Sequence, residues 1–106
     1  MVWTFDPEHK RPRGPGEEPQ FSAMTVPGVT GKWDVWVDDT DPPCISYVAT
    51  TPVDDLGFDL KHFIDDSVNQ GYGITNEMYL AIVFAGFEVW SAGDGLQAKE
   101  FCVEVQ

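Results

Sequence analysis

Basic residues are scarce. Of 106 residues, six are Lys or Arg against eighteen Asp or Glu, giving a net charge of -12. So acidic a chain repels phosphate backbones and anionic lipid headgroups, which excludes nucleic acid and membrane surfaces as partners. Long apolar runs are missing too: nothing approaches the roughly 18 consecutive apolar residues of a membrane span. The first residues show no charged-then-apolar leader with a small-residue cleavage site. Histidine is limited to His9 and His62. With no third ligand near either in sequence, no metal site is expected, and no other cofactor is called for. Cysteine is limited to Cys44 and Cys102, which permit a disulfide without requiring one; two half-buried thiols are the equal alternative.

What is present is aromatic. Four Trp, seven Phe and three Tyr within a 42% apolar composition exceed what a disordered acidic tail contains, so the chain folds as one small domain or as a piece of a larger one. Residues 6–20 carry four prolines and two glycines, which predicts a long irregular loop; its Lys10, Arg11 and Arg13 are too few for a nucleic-acid patch. Met1 to Phe5 and Phe21 to Val26 read as short strands. Lys32 to Val37 alternates Trp33, Val35 and Val37 with Lys32, Asp34 and Trp36, as a strand with one apolar face does. The acidic, proline-containing stretch from Asp38 to Pro43 is a turn into a second strand, Cys44 to Thr50. Its tandem prolines break the ligand spacing of a calcium loop.

Asp54 to Gln70 is predicted to be a helix: Leu60, Phe63, Ile64 and Val68 recur at helical spacing, Asp54, Asp55 and Asp59 suit the N-terminal end, and Gly71 suits the C-cap. Lys61 and Asp65 form an i,i+4 pair, and His62 is expected to be exposed. The run from Met78 to Trp90 is apolar on both faces and predicts a deeply buried central strand, followed by a last strand from Leu96 to Val105.

Within Met78 to Trp90, Glu88 is the only charged residue. Period-2 geometry sets it in a row with Leu80, Ile82, Phe84, Gly86 and Trp90. Burial there raises a carboxyl pKa, as a general acid working near neutral pH requires, and Gly86 leaves room beside it. The plain alternative is a glutamate at a strand end that bends into solvent. Trp33, Trp36, Tyr47 and Trp90 offer flat faces suited to sugar rings, although each also serves as a core residue. Glycoside cleavage needs a second carboxyl group, about 5 to 5.5 Å away when configuration is retained. No second carboxylate here is framed so apolarly.

In order along the chain, Lys32-Trp33-Asp34-Val35-Trp36, Ile45-Ser46-Tyr47-Val48-Ala49, Phe58-Asp59-Leu60-Lys61-His62-Phe63-Ile64 and Ala85-Gly86-Phe87-Glu88-Val89-Trp90 resemble segments of glycoside hydrolase family 12, the endo-β-1,4-glucanases. Val89 departs from the family's usual Pro. The resemblance implies a mainly β fold, a β-jelly roll of two antiparallel sheets with one short helix, here incomplete at the N-terminus. It implies that residues 1–106 are the C-terminal portion of a single catalytic domain, monomeric when complete, acting on extracellular β-glucan.

By the same resemblance Glu88 is the general acid/base of a retaining double displacement. Met1-Val2-Trp3 is similar to the end of the family's Glu-x-Met-[Ile/Val]-Trp motif. The nucleophile is then expected two positions ahead of Met1, and the chain alone is expected to be inactive. Met1 and Trp90 are expected to contact substrate. The rival readings are a non-catalytic carbohydrate-binding β-sandwich and a protein-interaction module using unpaired sheet edges.

Overall fold

The computed structural model describes residues 1–4, 6, 11–53, 56–80, 82, 83, 85, 86 and 102–104. Strand β1 spans Val2–Trp3, β2 Phe21–Met24, β3 Trp33–Asp38 and β4 Cys44–Ala49; helix α1 spans Leu60–Gln70. The chain divides into two compact units, Met1–Asn76 and Glu77–Gln106, and the five elements found among the described residues belong to the first.

The strands form one sheet in the order β1-β4-β3-β2. β3 and β4 pair antiparallel from Trp33↔Ala49 to Asp38↔Cys44, closed by the acidic, proline-containing turn. Because side chains alternate along a strand, this register gives the hairpin two distinct faces. One carries Trp33, Val35 and Val37 opposite Ala49, Tyr47 and Ile45; the other carries Asp34, Trp36 and Asp38 opposite Val48, Ser46 and Cys44.

β2 pairs antiparallel with β3, and its register slips between Phe21↔Val35 and Met24↔Trp33. Three steps on β2 match two on β3, which is a β-bulge. Ala23 takes the strain with φ 51, and its N–H, taken out of the ladder, donates to Asp34 Oδ1 at 2.8 Å. β1 pairs parallel with β4 through Val2↔Tyr47 and Trp3↔Val48. The sheet is therefore mixed, where two antiparallel sheets were expected, and no second sheet occurs among the described residues.

The core lies between the first face and α1: Val26, Val29, Trp33, Val35, Ile45, Tyr47, Phe63 and Tyr72 are buried together. Phe63 is its hub, with ring centroids 5.1 Å from Trp33, 5.0 Å from Tyr47 and 5.1 Å from Phe58, all edge-on, the preferred arrangement of aromatic quadrupoles. Val26-Pro27-Gly28-Val29 turns with Val29 N donating to Val26 O at 3.0 Å, Gly28 holding φ 86 as a type II turn demands. A Cβ on Gly28 would stand 2.7 Å from the His62 imidazole, so this turn and the helix meet through bare backbone.

α1 begins at Leu60, later than the predicted Asp54. Asp59 is the N-cap and accepts from Lys61 N at 2.9 Å, while Gly57 and Phe58 precede it as non-helical chain. Gly71 ends the helix in the left-handed conformation, and Tyr72 N reaches back to Ser67 O at 3.0 Å in a Schellman-type closure. Lys61 and Asp65 form their predicted pair, Nζ lying 2.6 Å from Oδ2. His62, expected to be exposed, is half-buried against the Gly28 turn.

The described part of the second unit departs from expectation. Residues 78–80, 82, 83, 85 and 86 form no strand and are exposed, Tyr79 at 97% and Ile82 at 72%. A run apolar on both faces becomes a central strand only with neighbours pairing both edges and layers covering both sides. Among the described residues of that unit no such neighbours occur; 102–104, within the predicted last strand, are likewise irregular. Both thiols are free.

Candidate functional site

The two faces of the sheet differ in chemistry, and that difference locates the candidate site. On the helix side, Tyr47 reaches across the core and donates its hydroxyl proton to Asp66 Oδ2 at 2.7 Å. Ser67 Oγ lies 2.9 Å from the same phenol oxygen. Since a phenol has one proton, Ser67 is the donor in that second bond. Burial pushes the Tyr47 phenol well above its ordinary value, with the Ser67 hydroxyl opposing and Asp66 adding to the rise. Tyr72 is raised too, first by burial and then by Asp66. These groups tie sheet to helix. Tyr47, Asp66 and Ser67 satisfy one another, whereas the buried Tyr72 hydroxyl and Trp33 indole N–H have no hydrogen-bond partner among the described residues.

The opposite face is the candidate site. Pairing Val2 with Tyr47 puts Val2 on the core side, so Met1 and Trp3 share the other face with Val48, Ser46, Cys44, Trp36, Asp34 and Asp38. Trp36 is buried at 6% exposure although it belongs to no part of the helix-side core. Two indoles in a row of hydroxyl, thiol and carboxylate groups suit sugars, whose C–H faces stack on aromatics while their hydroxyls need acceptors. Neither carboxylate here is unbonded: Asp34 accepts from Ala23 N, and Asp38 is ion-paired with Arg13 Nε. They serve as structural acceptors.

The predicted site residues fall unevenly. Met1 is exposed beside β4; its backbone nitrogen donates to Ile45 O at 2.5 Å and its carbonyl accepts from Tyr47 N at 2.8 Å. Glu88 and Trp90 lie outside the described residues. Of the aromatics named as sugar platforms, Trp33 and Tyr47 are core residues packed on Phe63, and Trp36 alone of the hairpin's three faces away from the helix. Trp3 had not been singled out as a platform, because the orientation of a two-residue strand depends on its pairing partner. No group of three His, Cys, Asp or Glu suited to a metal ion occurs among the described residues. Nor is any described helix long and apolar enough to cross a membrane.

Comparison with known proteins agrees with the resemblance read from the sequence. The model of glycosyl hydrolase family 12 matches residues 1–106. A probable cellulase, Cel12b, from Mycobacterium tuberculosis (strain ATCC 25618 / H37Rv) is 38% identical over 61 residues, covering 58% of this chain and 40% of that protein. No solved structure matches. The chain belongs to glycosyl hydrolase family 12.

Proposed function

We propose, from that membership, that residues 1–106 are the C-terminal portion of a single catalytic domain that hydrolyses β-1,4-glucans outside the cell. The family match along the whole chain carries this reading. It is supported by a sheet whose helix-free face bears Met1, Trp3 and Trp36. In the complete domain a second sheet completes a jelly roll, and the helix-free face belongs to the substrate cleft. The relative named as a cellulase makes cellulose and related β-glucans the first substrates to test.

Glu88 is the proposed acid/base. It protonates the leaving glycosidic oxygen as a second carboxylate attacks the anomeric carbon, then removes a proton from the water that frees the glycosyl-enzyme. Met1 and Trp90 are the proposed substrate contacts. The attacking carboxylate of the Glu-x-Met-[Ile/Val]-Trp motif has no counterpart within residues 1–106, so this stretch by itself is inactive.

Reducing-sugar release from soluble β-glucan tests both parts. Residues 1–106 alone should give none, whereas the chain extended by the family's upstream strands should give turnover. In that extended enzyme Glu88→Gln should lower kcat by about 100-fold or more with little change in glucan binding, the usual size of a lost general acid. Glucan binding without turnover in the extended chain would favour the carbohydrate-binding alternative. Full activity of Glu88→Gln would remove the assignment.

A further inference from the structure

Residues 11–20 have no repeating structure, yet they are fastened to the β3–β4 hairpin at both ends. At one end Arg13 Nε pairs with Asp38 Oδ2, and its Nη2 donates to Thr40 Oγ1 at 2.7 Å and to Pro42 O at 3.3 Å. One guanidinium thus spans the end of β3 and the turn beyond it. Its planar fork is suited to several acceptors at once, which a lysine cannot match. At the other end the Gln20 amide takes the place of a strand peptide: Val37 N donates to Oε1 at 2.9 Å, and Nε2 donates to Val37 O at 3.2 Å. Arg11 Nη1 bonds Gly16 O at 2.9 Å and holds the segment folded between.

Between the two anchors the segment passes beside Trp36. A Cβ at Gly14 would stand 3.7 Å from the indole Cε3, an ordinary contact distance, so the backbone of residue 14 passes within about one methyl group of the ring. Asp38 shares its face with Trp36, so the Arg13 anchor is on the helix-free side of the sheet. The anchor is reached by solvent on one side. The Arg13 side chain is 58% exposed while that of Asp38 is 15% exposed, so the pair is open to water and salt from the guanidinium side.

We propose that Arg13 is a positioning residue that latches residues 11–20 across Trp36, and that release of the latch presents the indole to a β-1,4-linked glucan chain on the helix-free face. The latch stands on the contacts above; the identity of the ligand rests on the functional reading of the preceding section.

Trp36 fluorescence, taken as the difference between the chain and its Trp36→Phe variant, reports both halves. Arg13→Ala should raise acrylamide quenching of Trp36 by up to about fivefold, the most that loss of an exposed ion-pair network supports. Arg13→Lys should fall between, since it keeps the charge without the fork. Salt at ~1 M should raise quenching more in the unmodified chain than in Arg13→Ala, because the variant lacks the pair to the hairpin and keeps only Arg11–Glu17 within the segment. Equal quenching in all three proteins overturns the latch, as does an equal salt response with and without Arg13. Titration with cellotetraose should then give a stronger Trp36 response in Arg13→Ala than in the unmodified chain. A response of the same size in both overturns the gating of ligand while the glucanase reading stands. No response in either, with the acrylamide and salt results as expected, overturns the glucan as ligand and counts against that reading.

Discussion

The two faces of the β3–β4 hairpin alternate along the same two strands, yet they are closed by different means. Toward α1, Trp33, Val35, Ile45 and Tyr47 meet Phe63 and Tyr72 in an aromatic core, and the polar atoms of Tyr47, Asp66 and Ser67 are bonded to one another. Away from α1, Trp36 lies among Asp34, Asp38 and Ser46 and is flanked by an irregular segment held through Arg13 and Gln20. The first closure is hydrophobic and cooperative; the second is polar and local. A face closed by weak polar anchors can be exchanged for a ligand at little cost in stability, whereas a face closed by an aromatic core cannot.

Mutations on each face sharpen or break this contrast. The largest effect belongs to Phe63→Ala, which removes the ring that touches three other aromatics and should destabilise the fold by about 3–5 kcal/mol in urea unfolding. A loss below about 1 kcal/mol would mean that the helix does not close this face, since even one buried methylene is worth about that much.

Tyr47→Phe comes next. It leaves the buried Asp66 carboxylate without its phenol donor and should cost about 1–3 kcal/mol near neutral pH. The same variant tests pH dependence. Because the folded state raises the Tyr47 pKa, the unfolded chain ionises first on going alkaline, so this contribution is full below about pH 10 and declines above it. In Tyr47→Phe the alkaline decline should be shallower, with the part due to Tyr72 remaining. Equal alkaline slopes in both proteins would show that the phenol is not enclosed in solution.

The smallest effect is expected on the other face. Asp34→Ala removes the acceptor for the bulged Ala23 N–H at an exposed position and should cost about 1 kcal/mol or less, because water replaces the carboxylate. If it proved as damaging as Phe63→Ala, the helix-free face would be part of the cooperative core and the contrast would fail.

Much of the fold was legible in the residues. The alternation in Lys32 to Val37 identified the faces of β3, Pro27-Gly28 marked a turn, and Asp59 and Gly71 bracket the helix that Leu60, Phe63, Ile64 and Val68 implied. Burial of Asp66 and Ser67 was not legible, because two polar residues on a helix read as a solvated face until a phenol from another strand meets them. The parallel pairing of β1 was hidden for a similar reason: two residues carry no periodicity, and their orientation comes from Tyr47 and Val48. Exposure of the described residues between 78 and 86 ran against the pattern, since an apolar run specifies a need for cover without supplying it.

The candidate site divides in the same way. Met1 and Trp36 were visible as residue types in a suggestive order. That Trp36 turns from the core while Trp33 and Tyr47 turn into it follows from side-chain alternation once the helix is known to cover one side. The anchoring of residues 11–20 through Arg13 and Gln20 had no local signal, because its partners Asp38, Thr40 and Val37 lie 17 to 27 positions away or on another element.

By itself the sequence determined the family, the acidic charge, the hairpin, the helix and its caps, because these follow from composition, short-range periodicity and residues adjacent in the chain. Only the tertiary structure decided which face of the sheet is sealed, which carboxylates are spoken for, and where an irregular loop is tied down. Each of these depends on contacts between residues distant in sequence, and no local preference encodes such a contact.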